Sequence, residues 1–246
     1  ALPKLLKSLN WKLQKVPFFF KVLNPNSFLK NIRYFKNTKL KSFFIMLMMC
    51  SGLGWLFIKF IFQVSSLFNF RLKKEHHLTV KEIEIFDQDL DLVWENSKQY
   101  NSFAAVRNCE YLKILYSDKR FIKLKFVDNN KIVGWSISLC TKLDDHKYFG
   151  HMRLGSIVDC LSLKGYEKSI VYLTTKLLKY KEADLIVSNQ SHIFWKNAFK
   201  INSFISGPSN YIFALSKILS DKLMDDKKLK DYIHLTRGDG DGPINL

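Results

Sequence analysis

Residues 154–190 read LGSIVDCLSLKGYEKSIVYLTTKLLKYKEADLIVSNQ, two short apolar runs with an amphipathic stretch between them. The first run, Leu154–Leu161, predicts a buried strand, and so does the second, residues 183–188. Between them, Glu167–Lys181 repeats apolar residues at helical spacing, which predicts a helix with one buried face. This stretch therefore predicts a strand, a helix and a second strand in that order.

The residues before this unit predict three more strands. Thr79–Phe86 alternates apolar and polar residues, as a half-buried strand does. Phe121–Val127 and Ile132–Leu139 follow, joined by residues 128–130 (DNN), whose composition is typical of a hairpin turn. Asp87–Asn96 opens with acidic residues and continues at helical spacing, which predicts the start of a helix.

The residues after the unit predict a second helix and a final strand. Ser191–Phe199 has helical spacing, with Ser191 as the expected N-cap. A Gly-Pro pair at 207–208 then leads to a strand over residues 210–215. Strands and helices mixed in this way predict an α+β domain.

Composition and charge narrow the class of protein. The 246 residues are 47% hydrophobic and 25% charged, which excludes a disordered chain, a collagen-like repeat and a polytopic membrane protein. The formal net charge is +17, and residues 1–80 hold fourteen Lys/Arg against one acid, Glu75. Residues 81–246 are nearly neutral. Because the basic third also carries the longest apolar run, nucleic acid is a disfavoured partner.

The cysteines and histidines predict neither disulfides nor a metal site. No C-x-x-C pair occurs, and each cysteine lies in an apolar or strand-like context: Cys50, Cys109, Cys140 and Cys160. We therefore expect buried free thiols in a reducing compartment, which places the protein in the cytoplasm. No His/Cys cluster has the spacing of metal ligands.

Residues 26–77 surround the apolar run. Ser42–Ile58 is uncharged for 17 residues, and Lys59 is the only charge before Arg71. Crossing a bilayer takes about 20 apolar residues, so the run is borderline for a span. Three interpretations remain open: a buried or docked helical linker, an interfacial helix with its cations on an anionic membrane surface, and a transmembrane span. The second would attach the protein to the inner face of the membrane.

The order of the predicted elements resembles the GNAT acyltransferase fold over residues 78–216. In that fold an antiparallel sheet continues into a parallel strand–helix–strand crossover, and the turn before the crossover helix holds the pyrophosphate of acyl-coenzyme A. Here LGSIVDCLS would be the first crossover strand, LKGYEKS the turn and ADLIVSNQ the second strand. The resemblance implies a mixed, mostly antiparallel sheet flanked by helices and preceded by a hydrophobic helical linker.

Three more strings, AVRNCEYLKILY (105–116), GPSNYIF (207–213) and HLTRGDGDGPINL (234–246), carry a narrower resemblance. They look like the second lobe of two-lobed bacterial GNAT proteins of exopolysaccharide and cell-envelope biosynthesis. That resemblance implies three parts: a remnant of a preceding lobe (1–25), a basic hydrophobic linker or membrane-associated segment (26–77) and an acyltransferase lobe (78–246). It also leads us to expect further residues before Ala1.

The resemblance also implies where acetyl-CoA or another acyl-CoA would bind. The family commonly writes the turn as Q/R-x-x-G-x-G/A, because glycine lets the backbone approach a phosphate, and this chain keeps only Gly165. The cofactor-binding candidates lie around the turn and at the end of the second crossover strand: Leu161, Ser162, Lys164, Gly165, Lys168, Ser169 and Asn189.

Acyl transfer needs a base for the acceptor and an acid for the leaving thiolate. Asp159 is the candidate base, with capping of a loop as its alternative role. The family's acid is often the tyrosine of F-Y-x-x-x-G-F; here Phe199 stands in that frame, and Tyr211, or alternatively His192, is the candidate substitute. Arg107 and His192 are candidates for binding the acceptor, a sugar or an amine, and Arg107 could equally pair with a buried acid.

Two functions remain open at this point. One is an N- or O-acyltransferase acting on a sugar or a similar envelope precursor. The other is a noncatalytic GNAT-like lobe that supports another lobe or binds a partner or ligand. The missing glycines and Phe199 favour the second, while Lys164, Gly165 and the polar end of the second crossover strand keep the first open.

Overall fold

The computed structural model describes residues 2–33, 78–224 and 227–240, together with Leu56 and Phe60. Most of the predicted linker, including the apolar run, lies outside the described residues. In the part of the chain that is described, no helix is both long and apolar enough to cross a membrane.

The described helices and strands are as follows. The helices are α1 (Leu2–Ser8), α2 (Pro25–Asn31), α3 (Asp91–Ser97), α4 (Cys109–Leu115), α5 (Glu167–Tyr180), α6 (Ile193–Ile201), α7 (Lys217–Met224) and α8 (Lys227–Asp231). The strands are β1 (Lys12–Lys15), β2 (Phe18–Val22), β3 (Thr79–Ile83), β4 (Phe103–Ala104), β5 (Ile122–Asp128), β6 (Lys131–Lys142), β7 (Arg153–Ser162), β8 (Leu185–Asn189), β9 (Ile205–Gly207), β10 (Ile212–Leu215) and β11 (Ile233–His234).

Seven strands form one mixed sheet in the order β3-β5-β6-β7-β8-β2-β9. Neighbours from β3 to β7 run antiparallel, and β7 then pairs parallel with β8 after the crossover through α5. The predicted α+β class and the predicted strand–helix–strand unit are both confirmed. An antiparallel series that continues into a parallel crossover is the arrangement expected of a GNAT-like fold.

Two layers of helices enclose the sheet. On one face, α5 and α6 bury Ile170, Leu178 and Phe199, and the strand side chains Phe126 and Ile157 pack against them. The opposite face packs against α3 and α4 through residues that are almost fully buried: Leu90, Val93, Leu112, Trp135, Ile137 and Val158. Apolar burial on both faces drives the assembly of this sheet.

The strand β2 comes from the stretch that the sequence assigns to a preceding lobe, and it lies inside the sheet. It pairs antiparallel with β8 from Phe18↔Asn189 to Val22↔Leu185, and with β9 on its other edge. Its neighbour β1 instead pairs with β10 in a separate two-stranded ribbon. The strands β2 and β9, which come before and after the crossover unit in the sequence, therefore extend the sheet beyond β8.

The start of α6 differs from the prediction. The N-cap is His192, whose Nδ1 accepts a hydrogen bond from the Phe194 amide, so the expectation of Ser191 was wrong by one residue. The Ser191 hydroxyl instead accepts a bond from the Leu235 amide at 2.8 Å. It thereby holds the C-terminal segment, which we define as residues 233–239, against the end of β8.

Candidate ligand cleft

The parallel strands β7 and β8 separate before they end. They are paired only from Leu154↔Leu185 to Ile157↔Ser188, whereas β7 continues to Ser162. Val158 has no register partner on β6, because Ile137 pairs with Asp159 and the next residue pairs with Ile157. This bulge directs both Val158 and Asp159 toward the α3–α4 face and opens a gap between the strand ends.

The chain's own C-terminal segment fills that gap. Thr236 forms an antiparallel bridge with Gln190, directly after β8, and the Ser191 amide donates to the Leu235 carbonyl at 3.1 Å. The His234 ring is fully buried beside Cys160 of β7. On the β7 side, a Cβ on Gly238 would lie 3.4 Å from the Cβ of Asp159, so this turn is in van der Waals contact with the strand.

Asp159 is the centre of a buried polar network. Its carboxylate accepts from Arg107 Nε at 3.1 Å, from the Tyr116 hydroxyl at 2.9 Å and from the Cys160 amide at 2.9 Å. Arg107 also donates through Nη2 to Asp239 at 2.7 Å. The side chains of Arg107 and Asp159 are each 2% exposed. Asp159 and Arg107 are therefore brought together as a buried ion pair.

Charge in this network is set by two carboxylates around one guanidinium. Burial lowers the pKa of Arg107, but Asp159 and Asp239 outweigh burial and raise it above its ordinary value. Burial raises the pKa of Asp159, and Arg107 opposes that shift. The Tyr116 hydroxyl has a raised pKa from burial and from Asp159, so it stays a hydrogen-bond donor. All three guanidinium nitrogens of Arg107 and the Tyr116 hydroxyl thus donate to partners inside the protein.

The first residue of α5 places its carboxylate against the turn that precedes the helix. Glu167 is buried, and its Oε2 accepts from the Gly165 amide at 2.9 Å. Burial raises the pKa of the Glu167 carboxyl above its ordinary value. Gly165 has a φ of +99°, a conformation that favours glycine. A helix start that attracts anions is thus already in contact with a side-chain carboxylate.

The other predicted cofactor residues lie near this turn without converging on one point. The Lys164 ammonium lies over the rings of Tyr100 and Phe194. Lys168 accepts a bond from Asn202 at its carbonyl, and Ser169 is buried in the first turn of α5. Leu161 and Ser162 end β7 and line a pocket at the same turn.

The remaining predicted residues support the C-terminal segment or its surroundings. Asn189 accepts from Arg237 Nη1 at 3.5 Å, and His192 Nε2 lies 3.2 Å from the Tyr100 carbonyl oxygen. Tyr211 lies beside Gly240, whose added Cβ would be 3.4 Å from the Tyr211 ring. The roles assigned to these residues from the sequence stay predictions.

The residues present do not fit acyl-coenzyme A in this conformation. The GNAT resemblance implies that the cofactor would lie between the two crossover strands, and here the C-terminal segment fills the gap between β7 and β8. The pyrophosphate of the cofactor would meet the Glu167 carboxylate at the turn, where like charges repel. We therefore derive no chemical step through this cofactor.

Sequence reasoning missed three residues that shape the cleft: Tyr116, Glu167 and His234. Asp159 could be found from the sequence because it is a charged residue inside an apolar run. The sequence analysis also gave a buried acid as a possible partner of Arg107. Nothing local relates Asp239 or His234 to β7, because each contact joins residues far apart in the chain.

Comparisons with known proteins concern the fold. No family model and no curated protein matches this sequence. A conserved protein of unknown function from Staphylococcus epidermidis is 10% identical, with 87% of this chain and 66% of that chain covered and a TM-score of 0.43. The C-terminal domain of a proposed lysylphosphatidylglycerol synthetase from Agrobacterium fabrum is 10% identical, covers 90% and 66% of the two chains, and has a TM-score of 0.39.

A third similar structure is an aminoglycoside acetyltransferase from an uncultured soil metagenomic sample, solved with trehalose. It is 16% identical, with 43% of this chain and 72% of that chain covered and a TM-score of 0.30. The strand order, the parallel crossover and the separation of β7 from β8 together give this chain a GNAT-like fold.

Proposed function

We propose that the described lobe is a noncatalytic GNAT-like module. Its C-terminal segment closes the cleft between β7 and β8, in which an acyl donor would bind. The observation that carries this proposal is the bridge between Gln190 and Thr236, which seats the segment between the ends of β7 and β8. The candidate base supports it as well, because the Asp159 side chain is 2% exposed and its carboxylate binds Arg107 and Tyr116. A carboxylate held this way has no access to an acceptor.

A noncatalytic module of this kind acts by holding another lobe or a partner in position. The β1–β10 ribbon has unpaired outer edges among the described residues, and exposed apolar side chains surround it: Leu5, Leu9, Trp11 and Ile212. A two-stranded ribbon is marginally stable alone, so these edges favour a structural role against another sheet or lobe. Two inferences from the sequence are part of this proposal. The partner would act in envelope biosynthesis, and residues 26–77 would contact an anionic membrane surface.

Titration of acetyl-CoA into the full chain tests the proposal. We expect no saturable heat at millimolar ligand, because both the gap and the turn are occupied by the protein's own groups. A catalytically active GNAT acetyltransferase measured in the same buffer is the positive control. Saturable binding of acetyl-CoA, or transfer of its acetyl group to any amine or sugar, would overturn the proposal.

A further inference from the structure

A small pocket with a cavity volume of about 20 Å³, partly open to solvent, lies where β7 meets the turn before α5, beside the Lys164 side chain. Its walls come from the end of β7, the turn, the start of α6 and the 3₁₀ turn after α3. The residues that matter for its chemistry are Tyr100, Ser162, Lys164, Glu167 and Phe194. Three features of these residues point to the same class of ligand.

The first feature is a cation held between two aromatic rings. The Lys164 ammonium lies 5.5 Å from the Tyr100 ring centre and 5.4 Å from the Phe194 ring centre. Ring faces attract ammonium groups at this distance. Lys164 is exposed on its turn, so its flexible side chain can leave the pocket without disturbing the fold. The protein itself thus shows that an alkylammonium fits between these rings.

The second feature is a buried carboxylate whose nearby positive charge is the Lys164 ammonium itself. Glu167 lines the pocket and is 8% exposed. Burial raises the pKa of its carboxyl, whereas hydrogen bonds from its own amide and from the Gly165 amide, together with the Lys164 charge, oppose that shift. A buried carboxylate in this state attracts a cation and repels a phosphate.

The third feature is a buried hydroxyl without a partner. Ser162 lines the pocket, is 6% exposed, and its Oγ has no hydrogen-bond partner in the described protein. Buried hydroxyls in proteins are nearly always hydrogen-bonded. An ammonium group carries three N–H donors, enough to reach this hydroxyl and a carboxylate together.

From these features we propose that the pocket binds the ammonium group of a small alkylamine. The ligand displaces the Lys164 side chain, places its cation between Tyr100 and Phe194, and donates hydrogen bonds toward Ser162 and Glu167. The pocket chemistry is therefore opposite in sign to that of a phosphate site. The inference shares Glu167 with the closed cleft but concerns another ligand, so it and the proposed function can fail separately.

The test uses n-butylammonium, which copies the end of a lysine side chain, and follows the backbone amide signals of residues 162–167 by NMR. Lys164→Ala in the full chain removes the ammonium group between the Tyr100 and Phe194 rings. We expect saturable changes in these amide chemical shifts at millimolar n-butylammonium. The wild-type protein should bind two- to fivefold more weakly, because its own ammonium competes at a contact of this strength. Lys176→Ala, an exposed lysine elsewhere on α5, is the matched control and should bind like the wild type.

Two further arms decide the chemistry. The Glu167→Gln substitution in the Lys164→Ala background should weaken n-butylammonium binding at least fivefold, and neutral n-butanol should produce no saturable shift. The inference is overturned if Lys164→Ala shows no saturable shifts, if n-butanol binds as well as the cation, or if Glu167→Gln binds equally tightly. Acetyl-CoA shifting the same amides would overturn it too, and would contradict the proposed function at the same time.

Discussion

At the scale of single residues, Asp159 shows how one carboxylate can serve structure where the sequence predicted catalysis. A β-bulge turns it toward α4, and there its oxygens meet a guanidinium, a phenol and a backbone amide. Removing one partner of a buried ion pair leaves the other charge without compensation. The loss of the Asp159 carboxylate is therefore expected to destabilise the fold, because the Arg107 guanidinium would stay buried.

Replacing Asp159 by Asn should therefore lower the free energy of unfolding by about 3 kcal/mol, because Arg107 stays buried with Asp239 as its remaining carboxylate. Urea denaturation measures this change. Asp144→Asn is the control, because that side chain is 90% exposed and its substitution should change stability by less than about 0.5 kcal/mol. An Asp159→Asn protein as stable as the wild type would contradict this role.

At the scale of elements, the strand β2 carries a lysine into the sheet. Lys21 Nζ donates to the Asn202 carbonyl at 2.7 Å. Burial, and then the nearby Lys179, lower the pKa of Lys21 to about 8. The folded protein thus releases this proton at lower pH than the unfolded chain does.

Stability should consequently rise with pH in a window set by this residue. Between about pH 8 and 10.5 the unfolded chain binds more protons at Lys21 than the folded protein, so the free energy of unfolding increases with pH. The gain is on the order of 1–3 kcal/mol for a shift of this size. Urea denaturation at pH 7.5 and pH 10 should show it in the wild type and not in Lys21→Met. Identical pH dependence in the two proteins would refute the assignment.

Elements with a regular apolar period were predictable, and irregular ones were not. The crossover strands and α5 came directly from hydrophobic spacing and were confirmed. The helix α4 was missed, because Tyr111 and Ile114 are apolar but exposed and blur its amphipathic pattern. The seating of the C-terminal segment in the cleft was not predictable, since no local pattern reports contacts between distant residues.

At the scale of the whole molecule, the sheet is built from both sides of the undescribed segment. β2 lies between β8 and β9, so the central strands would have an open edge without it. The ring stack of Phe19 on Phe199, with centres 5.5 Å apart, ties the same strand to α6. Residues before the linker therefore belong to the hydrophobic core of the lobe that follows it.

A chain beginning at residue 24 should accordingly lose cooperative unfolding and precipitate, because the edge of β8 and the apolar surface around Phe199 become exposed. A synthetic peptide of residues 9–24 added in trans should restore solubility and a cooperative transition, whereas a peptide of the same composition in scrambled order should not. If the shortened chain unfolded as cooperatively as the full one, β2 would be dispensable.

The position of β2 in the sheet also affects how this protein folds during its synthesis. Its partners β8 and β9 follow it by most of the chain, so Phe18, Phe19 and Phe20 leave the ribosome long before Asn189 or Gly207 can pair with them. Pairings so distant in sequence raise the contact order and slow folding. The aromatic side chains of β2 therefore lack their strand partners until β8 and β9 have been synthesised, and an unpaired apolar strand of this kind favours aggregation.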